Sequence, residues 1–197
     1  MSDTPIHILG ILGSLRKESY NRMALRTCHS LLPENATLED FHLDAIPPFN
    51  QDLEDPPPPE VAKFKDAVRK ADAILFVSPE YNYSIPGVLK NAIDWGSRPP
   101  KDNVWSGKLA AMMGASMGML GTGRGQYHLR QVFINLNVHT LNRPEVMIAL
   151  AQNKFDPQGN LTDEPTREQI RKLLAALVDL ARKEKKARNS QQSARAS

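Results

Sequence analysis

Four side chains that follow the first apolar run could together hold a phosphate group: Ser14, Arg16, Ser19 and Asn21. Their hydroxyl, amide and guanidinium groups are all hydrogen-bond donors, and a guanidinium can donate to two phosphate oxygens. Residues 6–12 leave almost no polar face, which predicts a buried parallel strand, and residues 22–32 predict a helix. The donors thus lie before a helix N-terminus, where anions bind. The alternative is an ordinary cap, with Ser19 capping and Arg16 in solvent.

The glycine pattern narrows the kind of phosphate ligand. A P-loop needs a Lys followed by Ser or Thr, and a dinucleotide fold needs the turn G-x-G-x-x-G. The first turn, GILGSLR, has too few glycines for the dinucleotide turn. Residues 121–126, GTGRGQ, have glutamine where that turn needs its third glycine. A single terminal phosphate fits better, which favours FMN.

Length and composition predict one domain in a reducing compartment. The chain has 197 residues, enough for a sizeable core, and its one cysteine, Cys28, excludes a disulfide framework. Neither a secretory leader nor a run of about 18 apolar residues is present, so we expect a cytoplasmic protein with no membrane partner.

The positive charge is concentrated at the end of the chain. The net charge is +3, and residues 182–197 hold six Lys and Arg against one Glu, so the body before them is slightly acidic. The tail lacks aromatic and large apolar residues. We therefore expect a domain over residues 1–181, a disordered basic tail over 182–197, and no nucleic-acid partner.

Strand and helix patterns alternate along the rest of the chain, which predicts a doubly wound parallel sheet. The predicted strands are residues 6–12, 37–43, 72–78, 108–115 and 145–150. The predicted helices are residues 22–32, 59–71, 87–95, 125–136 and 170–181.

Ligands of such sheets bind beyond the carboxyl ends of the strands, so the loops after the third and fourth strands are also informative. Pro79 and Pro86 stiffen the first of these loops, whose backbone suits the edge of an isoalloxazine ring. Tyr81 and Asn82 could add an apolar face and an amide; the alternative is a rigid turn with Tyr81 in the core. The other loop is rich in glycine, which allows close approach to a ring.

Three segments, GSLRKESYN, PEYNYSIPGVLKNAIDW and SMGMLGTGRGQYHLRQV, resemble the NADPH-dependent FMN reductase family over residues 6–155. The resemblance implies a flavodoxin-like three-layer α/β sandwich with a five-stranded parallel sheet of order 2-1-3-4-5. It also implies bound FMN, a hydride from NADH or NADPH, and a small-molecule electron acceptor such as a quinone, free flavin, an azo compound or chromate. The FMN-binding residues it implies are Ser14, Arg16, Ser19, Asn21, Pro79, Glu80, Tyr81, Asn82, Ser116 and Gly118.

Flavin chemistry needs no catalytic side chain and no metal, and the five histidines are scattered without metal spacing. Asn82, Tyr81 and Arg124 are the expected substrate contacts, in a ping-pong reaction. The resemblance further implies a homodimer or homotetramer in which Tyr127 meets Glu145 across an interface, unless both are plain surface residues. A flavodoxin-type electron carrier and a flavin-free module that binds a phosphorylated ligand remain as alternatives.

Overall fold

The computed structural model describes residues 4–196, with side chains to Ser190. Its strands are β1 (Ile6–Leu12), β2 (Ala36–His42), β3 (Ala73–Val77), β4 (Leu109–Ala115), β5 (His139–Thr140) and β6 (Val146–Ile148). Its helices are α1 (Tyr20–Leu31), α2 (Pro59–Lys70), α3 (Gly87–Gly96), α4 (Gly123–Asn135) and α5 (Glu164–Ala196).

The strands form a parallel sheet of order β2-β1-β3-β4-β5, which confirms the predicted flavodoxin-like topology. The fifth position is split, because β5 pairs with the start of β4 and β6 pairs with its end. The sequence predicted one strand over residues 145–150. Pro144, which has no N–H to donate, lies in the segment between the two short strands.

Apolar layers cover both faces of the sheet. Side chains such as Ile8 and Leu75 pack with α1 and α5 on one face, while Leu9 and Phe76 pack with α2, α3 and α4 on the other. This two-sided burial explains why the strands have continuous apolar sequences. Because all strands run parallel, the loops that follow β1, β3 and β4 meet at the same edge.

The last helix is longer than expected. The sequence predicted disorder from residue 182, whereas α5 runs on to Ala196; Ser197 lies outside the described residues. Residues 182–196 consist mainly of good helix formers, and Arg188 Nε donates to Glu184 Oε1 at 3.0 Å, one turn away. Lys185 Nζ also lies 3.3 Å from both carboxylate oxygens of Asp72. No helix in the described part of the chain is apolar enough over sufficient length to cross a membrane.

Lys108 should make stability depend on pH. Its Nζ donates to Arg69 O at 2.9 Å and Ala71 O at 2.8 Å. Burial, followed by repulsion from Arg188, lowers the pKa of Lys108 from 10.5 to about 8, against an opposing effect of Asp72. Between about pH 8 and pH 10.5 the folded protein binds fewer protons than the unfolded chain. The free energy of unfolding should therefore rise with pH in this range.

Urea unfolding of wild type and Lys108→Met at pH 8 and pH 10 measures this effect. The wild type is expected to gain more stability than the variant between the two pH values. Equal gains would show that the Lys108 ammonium group is not destabilised in the folded protein.

Candidate functional site

Three loops form the candidate site: the first loop (residues 13–19), the second loop (78–86) and the third loop (116–122). They follow β1, β3 and β4, and Gly114 near the end of β4 lets two of them approach each other. A Cβ atom at Gly114 would lie 2.1 Å from Ser78 O and 2.3 Å from Thr122 Oγ1. Only glycine fits between these loops without a shift of the backbone.

The first loop presents hydrogen-bond donors that the described part of the chain leaves unused. Ser14 and Ser19 are both 4% exposed. Ser19 caps α1 by accepting from Asn21 N at 3.2 Å, which leaves its hydroxyl hydrogen free to donate. Within the described residues, the Ser14 hydroxyl and the backbone N–H groups of residues 14–16 donate to no protein atom. The loop thus offers an anion several donors beside a helix N-terminus.

Arg16 lies at the exposed rim of this loop. Its guanidinium donates to Glu18 O and lies 6.0 Å from the centre of the Tyr20 ring. This side chain forms no ion pair with a described carboxylate, so its charge is available to a ligand. The alternative of a plain cap with Arg16 in solvent accounts for the position of Arg16 but not for the Ser14 hydroxyl, which donates to no described protein atom although the residue is only 4% exposed.

The Asn21 side chain, which the sequence predicts as an FMN contact, is paired within the protein. This side chain is buried, where Nδ2 donates to Ala115 O at 2.9 Å and Oδ1 accepts from Ala115 N at 2.8 Å. The amide therefore joins the start of α1 to the end of β4. We expect Asn21 to position the first loop against the third loop rather than to contact a phosphate.

The change Asn21→Ala should lower the free energy of unfolding by about 2 to 3 kcal/mol, because it leaves the N–H and C=O of Ala115 buried and unpaired. Asn135→Ala is the matched control, since Asn135 is exposed on α4. Urea unfolding of both apoproteins measures the difference. If the two variants lose the same stability, the Asn21 amide does not hold the loops together.

The second loop contains a tight hairpin. Tyr81 N donates to Ser84 O at 3.0 Å and Ser84 N donates to Tyr81 O at 2.9 Å. Asn82 and Tyr83 between them have φ angles of 51° and 66°, as in a type I′ turn. Tyr81 is 53% exposed, so it is not a core residue. A tyrosine at positive φ, as at position 83, is a strained conformation of the kind found at binding sites.

Glu80 connects the second loop to α4. Its side chain is only 5% exposed. Oε1 accepts from Arg124 Nε at 2.5 Å and Oε2 accepts from the Gly125 N–H at 2.9 Å. The carboxylate thus caps a helix whose N-cap residue, Thr122, makes no side-chain cap bond. The Arg124 guanidinium also stacks on the Tyr83 ring, 3.7 Å from its centre. The sequence singled out Glu80 and Arg124 separately, and the structure brings them together.

The third loop is closed by its own hydrogen bonds. Ser116 Oγ donates to Gly121 O, and Leu150 N donates to Gly118 O at 3.2 Å. The Ser116 hydroxyl is therefore used within the loop. Gly118 faces open space, since the nearest atom to a Cβ there would be Ser116 Oγ at 3.7 Å. A flat ligand could approach the backbone at Gly118 closely.

Each of the three loops carries exposed apolar side chains, and we call this set the apolar rim: Leu15, Tyr81, Tyr83, Met117, Met119 and Leu120. Each is between 47% and 75% exposed. Clusters of exposed apolar groups mark binding surfaces. Of these six residues, only Tyr81 is predicted as a site residue from the sequence, because a single apolar residue in a loop forms no recognisable pattern.

No group of three His, Cys, Asp or Glu residues that could hold a metal exists in the part of the chain that the structure describes. Burial, with a smaller contribution from Asp40, raises the pKa of the Cys28 thiol, so this cysteine is unreactive. His128 Nδ1 lies 2.6 Å from Ser84 Oγ beside the hairpin.

The donors and the rim together fit FMN. The first loop offers donors to one phosphate, while the stiff second loop and the open backbone at Gly118 border a place for a flat ring. Ser14, Arg16 and Ser19 would hold the phosphate. Pro79 and Tyr81 would border the ring, with the other rim residues and backbone donors nearby.

Comparisons with known proteins support FMN as the cofactor. Residues 6–153 match the profile of the family described as NADPH-dependent FMN reductase. The chain is 53% identical over 178 residues to an NAD(P)H-dependent FMN reductase of Pseudomonas aeruginosa, covering 90% of this chain and 95% of that one. It is 47% identical to an NAD(P)H:quinone oxidoreductase of Solanum tuberosum, covering 90% and 94%.

A solved structure is similar as well. The flavoenzyme NAD(P)H:(acceptor) oxidoreductase FerB from Paracoccus denitrificans superposes with a TM-score of 0.83 at 33% identity. The match covers 90% of this chain and 98% of that chain.

Proposed function

The chain belongs to the NADPH-dependent FMN reductase family, and from this premise we propose that it passes electrons from NADPH or NADH through FMN to a small acceptor in a ping-pong reaction. The family and its named relatives establish an FMN-dependent NAD(P)H oxidoreductase of the quinone reductase type. Free flavin, azo compounds and chromate are further acceptors in the proposal.

One observation carries the proposal: several donors of the first loop bond to no described protein atom, and they lie beside an exposed apolar rim. A phosphomonoester dianion is the ligand that uses such donors, and a planar ring is the ligand that uses such a rim. FMN has both parts. Bound FMN would supply the redox chemistry, by accepting a hydride from the nicotinamide and passing electrons to the acceptor.

The side chains position the reactants rather than react with them. Ser14, Ser19 and Arg16 would fix the phosphate, and the hairpin of the second loop would fix the ring edge through its backbone. Asn82, Tyr81 and Arg124 would contact the substrate. Arg124 is held by Glu80 and by the Tyr83 ring, so its guanidinium would meet a substrate in a defined orientation.

We also propose a homodimer or homotetramer. Tyr127 is 54% exposed on α4, and Ile134, two turns further along the same face, is 80% exposed. Glu145 pairs with Arg143 at 3.2 Å and would meet Tyr127 of a second copy. Apolar side chains this exposed on one helix face favour contact with another subunit.

We place the enzyme in the cytoplasm, where its single thiol stays reduced.

Anaerobic spectroscopy of the purified protein tests the function. A yellow protein that NADPH bleaches without a partner reductase, and that a quinone then turns yellow again, is the expected result. A yellow protein that does not react with NADPH would indicate an electron carrier. A colourless protein that takes up no FMN would indicate a module for another phosphorylated ligand.

A further inference from the structure

A second groove lies on the other side of the first loop, between that loop and the end of β2. Its volume is about 480 Å³, and it is lined by Ser14, Leu15, Lys17, Arg22, His42, Leu43 and Asp44. The second and third loops follow β3 and β4, on the opposite side of β1. The groove therefore shares Ser14 and Leu15 with the candidate site but extends along the side of the first loop that faces away from the second and third loops.

Arg22 in this groove has an unused donor. Its Nε atom is buried and has no hydrogen-bond partner in the described part of the chain. Buried polar groups are normally paired, so this N–H indicates a missing acceptor. Arg22 Nη1 lies 3.4 Å from His42 Nδ1. Because a guanidinium can only donate, Nδ1 is the acceptor in this contact, which leaves the Nε2 atom of His42 to serve as a donor.

Lys17 adds a third donor and a full charge. It is exposed and pairs with no described carboxylate. Asp44 is the single carboxylate in the lining, and it is also exposed. The groove thus combines an ammonium, a guanidinium and an imidazole against one solvated carboxylate, which favours an anion with several oxygens.

We propose that this groove binds the 2′-phosphate of NADPH, an inference that rests on the proposed function and names the preferred hydride donor. A terminal phosphomonoester presents three oxygens to three separate side chains, as the groove requires. NADH and NADPH both carry a pyrophosphate, which proteins typically bind with the backbone of a glycine-rich turn. The first loop lacks such a turn. Leu15, 47% exposed in the lining, offers an apolar surface to the adenosine.

Steady-state kinetics with both nucleotides and one quinone tests the proposal on Lys17→Gln and His42→Gln. The KM for NADPH should rise about tenfold in Lys17→Gln and by about threefold in His42→Gln, while the KM for NADH stays unchanged. Lys63→Gln is the matched control, because Lys63 is an exposed lysine on α2. It should leave both KM values unchanged.

Inhibition provides a second measurement. Adenosine 2′,5′-bisphosphate should compete with NADPH more strongly than ADP does, and Lys17→Gln should remove the difference. Equal increases in KM for NADPH and NADH would overturn the proposal, since the groove would then bind a group that both nucleotides carry. Loss of FMN affinity in Lys17→Gln would also overturn it, because the groove would then hold the FMN phosphate. If neither nucleotide reduces the wild-type flavin, the proposed function fails instead.

Discussion

Replacing Ser14 and Arg16 together with alanine is expected to weaken FMN binding by about 100-fold. Each residue would donate a charge-assisted hydrogen bond to the phosphate, and the loss of about 3 kcal/mol in total corresponds to that factor. The double variant should still fold, because the Ser14 hydroxyl has no described protein partner and Arg16 is exposed.

Titration of the apoprotein with FMN, monitored through the quenching of flavin fluorescence, measures this loss of affinity. A matched control is Arg171→Ala with Ser190→Ala, which makes the same two chemical changes on the exposed surface of α5. The control should bind FMN as the wild type does. An affinity of the Ser14 and Arg16 variant within about threefold of wild type would mean that the phosphate is held elsewhere.

Gly114→Ala is expected to have the largest effect on stability, at about 3 kcal/mol or more. The added methyl group would lie 2.1 Å from the carbonyl oxygen of Ser78. This carbonyl cannot easily move, because Ser78 N donates to Met113 O at 3.1 Å and continues the ladder between β3 and β4. The second and third loops should separate, so the affinity for FMN should fall as well.

Gly87→Ala is the control for this prediction, because a Cβ at Gly87 meets nothing within 4 Å. Its free energy of unfolding should stay within about 0.5 kcal/mol of wild type. Urea unfolding of the two apoproteins gives both values. Similar midpoints for the two alanine variants would show that the contact at Gly114 is not a constraint on the loops.

The topology was predictable because burial of both faces of the sheet produces recognisable apolar patterns in the strands and helices. Strands such as β1 and β3 are apolar at nearly every position, and the helices between them carry one apolar face. The two departures have local causes that periodicity does not detect. Pro144 lies where the fifth strand is divided. Residues 182–196 have high helix propensity without an apolar pattern, and their contacts with Asp72 and Gly107 come from a distant part of the chain.

The site was predictable as a set of loops but not as a set of contacts. Asn21 was singled out as a polar residue beside a helix start, yet its partner, Ala115, lies 94 residues away. Glu80 and Arg124 are 44 residues apart and contact each other only because β3 and β4 are neighbours. The type I′ turn at Asn82 and Tyr83 lacks the glycine by which such turns are usually predicted.

The measurement that tests the central claim most directly is a comparison of FMN and riboflavin binding to the wild-type apoprotein. The two molecules carry the same ring, and only FMN carries the phosphate. If the first loop holds a single phosphate, FMN should bind at least about 100-fold more tightly than riboflavin. Equal affinities would contradict the account, because the donors of the first loop would then contribute nothing to flavin binding.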